Sequence, residues 1–586
     1  MKELESPYFQ TLNKGKINWQ KWSPEIITKA RESKKMIFLH TGRFSESIKR
    51  NKSIEMFENN EISTIINEHF IAVLIDKYSN SELYYTLLDL ILIIEHKTSS
   101  YINVILLPDK ELKPITAFSS LETDVVLKNL KHIKRLYNTQ NEKLLLAGKY
   151  LSEKLRDSGV VTKREPPIEL TDKILHLYVR NWSNRFTQEE FYRNRKPYTF
   201  NSRHFIFLIR YGEKYQIKGY REKIEESLLK AYYSPMFDPI EGGMFRQAWD
   251  STLKEPLYEL DLNENIQLMY LYSIGYKYYK NPIYKDVYTK IFLCIENRLK
   301  ADNNCYINSI SPLGNPSDCN YYKYSLTELK EVFKNEYKKI AKTLGMDINA
   351  NKSDYQIISN TPEFAFISDQ QVTKLKEIRK TRTAKLTYDS RSTIRYNTLL
   401  AGCLCQISKT DISSGFNEYY LYKAGLILDN VLDNKNLKIK NYSLHDYSLL
   451  INSLINYALC TRKEKYITKA TEYVSYTIAN FYQISTGVFT NTSRKTDTIM
   501  RRREGLTDYF KFSANSVMAK NMFLMYRYTG AQFYLDVYKQ MLYNIEPQLA
   551  QSGPLMTSWA NELLTYLNFK PLKNRKEANY LRNLKI

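Results

Sequence analysis

The sequence predicts two folds in one chain, an α/β domain at the N-terminus and a much larger all-α domain built from recurring helical hairpins. Three observations predict this. From Pro24 to about Gln140, short β-rich runs alternate with helical stretches and end in a hairpin pattern. Gly, charge and the Pro166-Pro167 pair then cluster in "DSGVVTKREPPIEL", Asp157 to Leu170, as a linker does. Beyond it nearly every segment carries a helical apolar face, and the segments resemble one another. A chain of 586 residues also exceeds what one core fills, about 250–300 residues. The low counts of 18 Gly and 17 Pro favour long helices over loop-rich β structure. The expected boundaries are 1–156 for the α/β domain, 157–170 for the linker and 171–586 for the helical domain.

The elements follow in order. "PEIITKARESK" reads as a helix, "MIFLHT" as a buried strand, and the stretch to His69 as helical. "FIAVLID" is a second strand, "LYYTLLDLILII" a helix, and "INVILLP" and "ITAF" two strands joined by the turn "PDKELKP". Past the linker, units open at Asn265, Asn397, Asp446 and Asn515. Each has a polar residue, an aromatic-rich apolar helix, a short break and a second helix. Such hairpins cannot bury their faces alone and must stack as a solenoid or close into a ring. The Asn and Asp openings are expected as N-caps; the alternative is that inner helices aim their N-termini and preceding loops into a shared central pocket.

Lys+Arg 86 against Asp+Glu 63 gives a net charge of +23, which attracts polyanions. The charge is dispersed, with local concentrations only at Lys374 to Lys385, Arg501 to Arg503 and the C-terminal "KPLKNRKEANYLRNLK". No zinc-finger spacing or RNA-recognition motif accompanies it, which argues against specific nucleic-acid binding. The most apolar run, "LLDLILII", is interrupted by Asp89 and falls short of the ~20 residues that span a membrane. "MKELESPYFQ" lacks the apolar core of a signal sequence, so a soluble, cytoplasmic protein is expected. The six cysteines lie beyond residue 290, with Cys403 and Cys405 in an apolar helical run, as buried small hydrophobes do. No two of the seven histidines stand at metal-ligand spacing, so neither a metal nor a cofactor is expected. The 49 tyrosines fit a Lys/Ile/Tyr-rich composition, although tyrosines also line sugar-accommodating pockets.

Ser6-Pro7-Tyr8, Trp19, Trp22, "IFLHTG" (Ile37 to Gly42), "MFEN" (Met56 to Asn59), "INEHF" (Ile66 to Phe70) and Asp76 together resemble the spermatogenesis-associated thioredoxin-like family. That family joins a thioredoxin-like domain to an (α/α)6 six-hairpin barrel similar to those of N-acylglucosamine 2-epimerases and six-hairpin glycosidases. The resemblance extends through "GGMFRQAWD", "PLYELDLNENIQL", "DSRSTIRYNTLL" and "RRREGLTDYFKFSANSV". It implies that the Cys-x-x-Cys positions hold Glu46 and Lys49, and that Tyr101-Ile102 replaces the facing Trp-Pro. Disulfide exchange requires a thiolate, and neither residue supplies one. The pair is expected as an ordinary i,i+3 surface contact. In the barrel the resemblance retains Glu259, Asn265, Gln267, Asp389, Asn397, Glu504, Asp508, Ser513, Asn515, Ser516 and Val517, while Arg246 and Leu257 replace two histidines.

Sugar chemistry needs two ionisable groups facing one cavity, with their pKa values pushed apart. Glu259, Asp389, Asp508 and Glu504 are the candidate catalytic carboxylates, each just before or at the start of an expected inner helix. Arg246, Trp249, Tyr258, Asn265, Arg391, Tyr396, Asn397 and Asn515 are the candidate ligand-binding residues. The bland alternative is that these residues cap helices and tie the repeats together. Three readings stay open: a redox-inactive protein whose barrel binds or processes a carbohydrate-like ligand, as a glycosidase or epimerase does; a scaffold with a protein partner on its thioredoxin-like domain; and a polyanion binder.

Overall fold

The computed structural model describes residues 6–569 except 98, 160, 166, 184–196, 302–303, 384–385, 411–414, 434–441, 496–502 and 509–511. Arg501-Arg502 and the basic C-terminal run lie outside the described residues, as does Lys385. The chain forms two compact units. One comprises Lys2–Val161 with Phe489–Glu504, the other Thr162–Val488 with Gly505–Ile586.

The N-terminal unit is thioredoxin-like. Its elements are α1 (Pro7–Leu12), β1 (Gln20–Lys21), α2 (Pro24–Ser33), β2 (Met36–Gly42), α3 (Ser47–Glu58), α4 (Asn60–His69), β3 (Phe70–Asp76), α5 (Ser81–Glu95), β4 (Asn103–Leu106), β5 (Pro114–Phe118), α6 (Thr123–Thr139) and α7 (Asn141–Asp157). The sheet order is β1-β3-β2-β4-β5. β2 runs parallel to β3 from Met36↔Phe70 to Gly42↔Asp76, and antiparallel to β4 from Ile37↔Leu106 to His40↔Asn103. Both central strands are buried along their whole length, which is why their sequences are continuous apolar runs. α4 begins where Asn59 accepts hydrogen bonds from the backbone of Glu61 and Ile62. At the end of β2, a Cβ on Gly42 would fall 2.4 Å from the Tyr8 ring, so only glycine fits that approach.

The second unit is an (α/α)6 barrel. Its helices are α8 (Asp172–Ser183), α9 (Ser202–Tyr215), α10 (Tyr220–Tyr233), α11 (Leu262–Tyr279), α12 (Pro282–Arg298), α13 (Leu326–Phe333), α14 (Tyr337–Thr343), α15 (Asp369–Lys380), α16 (Ile394–Ile407), α17 (Phe416–Asp433), α18 (Leu444–Thr461), α19 (Glu464–Phe481), α20 (Ala514–Thr529), α21 (Gln532–Ser552) and α22 (Thr557–Leu567). Helices α9, α11, α16, α18, α20 and α22 each pack on the next, and α22 packs back on α9, closing an inner ring. Outside it, α10, α12, α17, α19 and α21 each back the inner helix that precedes them, and α8 packs on α22. α13 to α15 form an insertion with its own apolar core, including Tyr324, Leu329, Ile340 and Leu375. Fully buried Arg379 anchors it, 2.7 Å from Asp238 and 3.1 Å from Glu241.

The polar residues that open the inner helices are not N-caps. Asp261 caps α11 by accepting from the Glu264 backbone at 3.1 Å; Ser443 and Ser513 cap α18 and α20. Asp446 is the reciprocal partner in the Ser443 capping box, accepting from the Ser443 backbone at 3.1 Å. Asn265 lies inside the first turn of α11 and binds both backbone groups of Met244, accepting at 2.8 Å and donating at 2.9 Å. Asn397 does the same with Tyr306, at 2.8 and 3.1 Å. A side-chain amide carries a donor and an acceptor together, so it can satisfy an extended loop residue as a strand neighbour would.

Candidate functional site

The inner ring surrounds a half-open cavity of about 140 Å3, and all six of its helices contribute. Arg203 and Arg210 come from α9, Gln267 and Tyr270 from α11, Cys403 and Gln406 from α16. Asn452 and Ser453 come from α18, Ser516 and Lys520 from α20, Asn561 and Glu562 from α22. Residues seven apart, such as Arg203 and Arg210, share a helix face after two turns, so these helices set polar groups into an inward face that also carries Ile206, Ile266, Leu399 and Leu449. At roughly 10–15 Å3 per water, the space suits several waters or a small polar molecule.

Hydrogen bonds fix the wall. Gln406 donates to Asn456, Asn456 donates to the Asn452 carbonyl at 2.8 Å, and Asn452 donates to Asn521 Oδ1 at 2.9 Å. Asn521 then donates to the Ser448 carbonyl at 2.8 Å. This amide chain crosses α16, α18 and α20. Arg210 donates to Asn561 Oδ1 at 2.8 Å and to Thr565 Oγ1 at 2.9 Å, tying α9 to α22. Arg203 donates to the Asp508 carbonyl at 3.2 Å and lies over the Phe512 ring.

Two ionisable groups on this wall have opposite proton preferences. Glu562 is only 8% exposed, and its buried Oε2 accepts no hydrogen bond. Burial pushes its carboxyl up to about 6, against the pull of Lys520 and Arg210. Burial lowers Lys520, with Glu562 opposing and the Arg210 charge adding to the effect. An acid raised and an ammonium lowered beside one cavity is the arrangement general acid–base chemistry uses. A stability consequence follows. Because the folded pKa of Glu562 lies above its ordinary 4.5, its contribution is fully present below about pH 4.5 and is lost as pH rises through about 6. Glu562→Gln is therefore expected to stabilise the barrel by about 2 kcal/mol at pH 8 and to flatten its pH dependence, as read by denaturant melts across that range.

The residues picked from sequence lie elsewhere. Glu259 is 1% exposed and bound by Arg246, whose Nη2 donates at 2.6 Å and Nε at 3.1 Å. Arg391 closes on Asp389 with two parallel bonds at 2.8 and 2.7 Å. Their loops border one small sheet, in which Leu260–Asp261 and Leu386–Asp389 both pair with Ser309–Pro312. Asp508 accepts from the backbone of Ser513 at 2.9 Å and of Ser558 at 2.7 Å, so it holds the start of α22 behind the cavity. Burial raises its pKa, with Arg203 opposing. Tyr258 is buried at positive φ and stacks on Tyr322, with centroids 5.1 Å apart. Asn265, Asn397, Tyr396 and Asn515 are buried, Trp249 is 39% exposed, and half-buried Glu504 groups with the N-terminal unit. None of these residues lines the cavity. Of those the family resemblance retains, Gln267, Ser516 and Val517 do. Sequence reading passed over Glu562, Lys520 and Arg210, which stand among apolar neighbours in their helices, as in "HFIFLIRYG" and "SWANELLTYL", and belong to no motif.

In the N-terminal unit, Glu46 is not a surface residue. Its side chain is 11% exposed and stands at the start of α3, with Arg43 Nε at 2.9 Å and Lys49 Nζ at 3.6 Å. Ser100 donates to it as well. Burial alone would raise its pKa, but Lys49, Arg43 and the Ser100 hydroxyl outweigh that and hold it at about 2. Tyr101 closes the other side, donating to the Arg43 carbonyl at 2.7 Å. Among the described residues, no group of three or more His, Cys, Asp or Glu side chains could hold a metal, and no helix is long and apolar enough to cross a membrane.

The family model Thioredox_DsbH, described as a protein of unknown function (DUF255), matches residues 1–156. Spermatogenesis-associated protein 20 of Rattus norvegicus is 32% identical over 73 residues, and that of Mus musculus 33% over the same length. Each match covers 12% of this chain and 9% of that protein. Among solved structures, the chain is similar to a cellobiose 2-epimerase from Bacillus thermoamylovorans, with TM-score 0.40, 8% identity, and 62% of this chain and 86% of that one covered. It is also similar to a GH76 alpha-mannanase from Bacteroides thetaiotaomicron, with TM-score 0.39, 12% identity, and coverage of 70% and 96%. Residues 1–156 thus match the Thioredox_DsbH family model, and the chain continues from them into an (α/α)6 barrel.

Proposed function

We propose that the barrel binds a small, hydroxyl-rich, carbohydrate-like ligand in its central cavity, with Glu562 and Lys520 as the proton-handling pair. The observation that carries this reading is that a raised acid and a lowered base line the same cavity, walled by all six inner helices. Arg203, Arg210 and Lys520 against Glu562 leave that wall net positive, which favours a ligand bearing a carboxylate or phosphate. The amide chain from Gln406 to Asn521 offers the donor and acceptor geometry that hydroxyls need. The N-terminal unit, with Glu46 and Lys49 at the positions expected for cysteines, performs no disulfide exchange there and is kept as a frame for folding or for docking a protein partner.

A thermal-shift panel of neutral sugars, sugar acids and sugar phosphates tests the barrel reading. An anionic sugar is expected to stabilise the protein, by about 2.7 kcal/mol at a hundredfold excess over its Kd, with neutral sugars weaker. No shift from any member at millimolar concentration contradicts it. Reduction of insulin disulfides by the unmodified protein would contradict the redox part.

A further inference from the structure

All six cysteines are free thiols, and two of them belong together. Helices α16 and α18 lie side by side in the inner ring. Ser453 Oγ donates to the Thr398 carbonyl, and Cys460 Sγ donates to the Cys405 carbonyl at 3.5 Å. Both contacts span 55 residues, so the helices run parallel in fixed register. Cys405 and Cys460 stand two turns beyond the first contact, on the same seam. Gly402 narrows that seam, since a Cβ there would lie 3.0 Å from Ser453 Oγ and 3.7 Å from Ser453 Cα. The close backbone approach is what a disulfide requires, with Cα atoms within about 7 Å.

The pair is asymmetric. Cys405 is fully buried and Cys460 half-buried. The adjacent Cys405 thiol, with the Lys409 charge and Ser408, lowers Cys460 to about 7 against the effect of burial, while burial raises Cys405. A partly exposed thiol of lowered pKa beside a buried second thiol is how redox-responsive cysteines are arranged.

We propose that Cys405 and Cys460 form a reversible dithiol–disulfide pair, oxidised by a peroxide, that locks α16 to α18 beside the central cavity. The Cys460 thiolate attacks one peroxide oxygen and the O–O bond breaks. That oxygen stays as a sulfenic acid, and the other leaves as water after taking a proton. Cys405 then attacks the Cys460 sulfur, losing its proton as the S–S bond forms, and the sulfenic oxygen leaves as a second water. Two electrons pass from the thiols to the peroxide, and a small dithiol reverses the bond by exchange. Cys405 adjoins Gln406 and lies two residues from Cys403, both on the cavity wall, so the lock fixes one side of that wall.

Treating the full chain with stoichiometric hydrogen peroxide, alkylating, and mapping peptides without reduction tests this. The expected product is a Cys405–Cys460 cross-linked peptide that dithiothreitol releases, with the Cys460 thiol lost at least roughly tenfold faster than that of buried Cys294. Cys405→Ser should divert Cys460 to sulfinic acid, and Cys460→Ser should leave Cys405 unreacted. Oxidation of wild-type Cys460 without the cross-link, or no faster reaction there than at Cys294, overturns the proposal; neither readout depends on how the variants fold.

Discussion

Arg246→Ala is expected to destabilise the barrel by about 3–5 kcal/mol, the cost of leaving a buried carboxylate without the cation it was folded around. Glu259 is 1% exposed and takes two hydrogen bonds from this guanidinium, while Arg246 and Glu259 also share a backbone bond of 2.9 Å. The loss of packing adds to the electrostatic cost, because the arginine stem is buried with its head group. The double substitution Arg246→Met with Glu259→Met should recover much of the loss, since apolar residues of similar volume often replace a buried pair at little cost. Denaturant melts of the three variants provide the check. A single variant within about 0.5 kcal/mol of wild type, the range of ordinary surface changes, would show that the pair carries little strain-free stabilisation. The same pair bears on function: both side chains are committed to each other, which is the behaviour of a structural tie.

Glu46→Gln is expected to cost the N-terminal unit about 3 kcal/mol at pH 7, from a carboxyl held at about 2 against an ordinary 4.5. The sign follows from the depressed folded value. The contribution is present above about pH 4.5 and is lost as pH falls through about 2, so the gap between wild type and variant should close on acidification. Arg43 and Lys49 would remain beside a neutral amide, while Ser100 keeps an acceptor there. Hydrogen exchange in α3 reads the effect locally and avoids treating two units as one unfolding transition. A penalty that does not change with pH would mean that packing, not charge, sets it.

Both units were legible as fold classes because periodicity survives in sequence. "MIFLHT" and "FIAVLID" are continuous apolar runs and became β2 and β3, buried on both faces. The repeated hairpins became consecutive inner and outer helices, with each short break turning one into the next. The site was less legible. Glu259, Asp389 and Asp508 announce themselves as carboxylates at helix openings, yet neighbouring arginines and backbone amides already satisfy them. Lys520 and Glu562 stand among apolar neighbours and gain meaning only when the ring closes and brings α20 beside α22, a relation no local pattern carries. Glu46 was hidden for a similar reason: α3 shows an i,i+3 pair, but Ser100 and Tyr101, more than fifty residues on, turn it into an enclosed cluster. Cys405 likewise reads as a small apolar residue until the register of α16 on α18 sets Cys460 against it.

The claim that the central cavity is the ligand site is tested most directly by calorimetric titration of the anionic sugar giving the largest thermal shift, against wild type, Lys520→Met and Asp389→Ala. Lys520→Met is expected to weaken binding about 10- to 100-fold, the loss of one charge-assisted hydrogen bond, while folded Asp389→Ala keeps wild-type affinity. Unchanged affinity in Lys520→Met together with lost binding in Asp389→Ala would contradict it and move the site to the helix-opening loops.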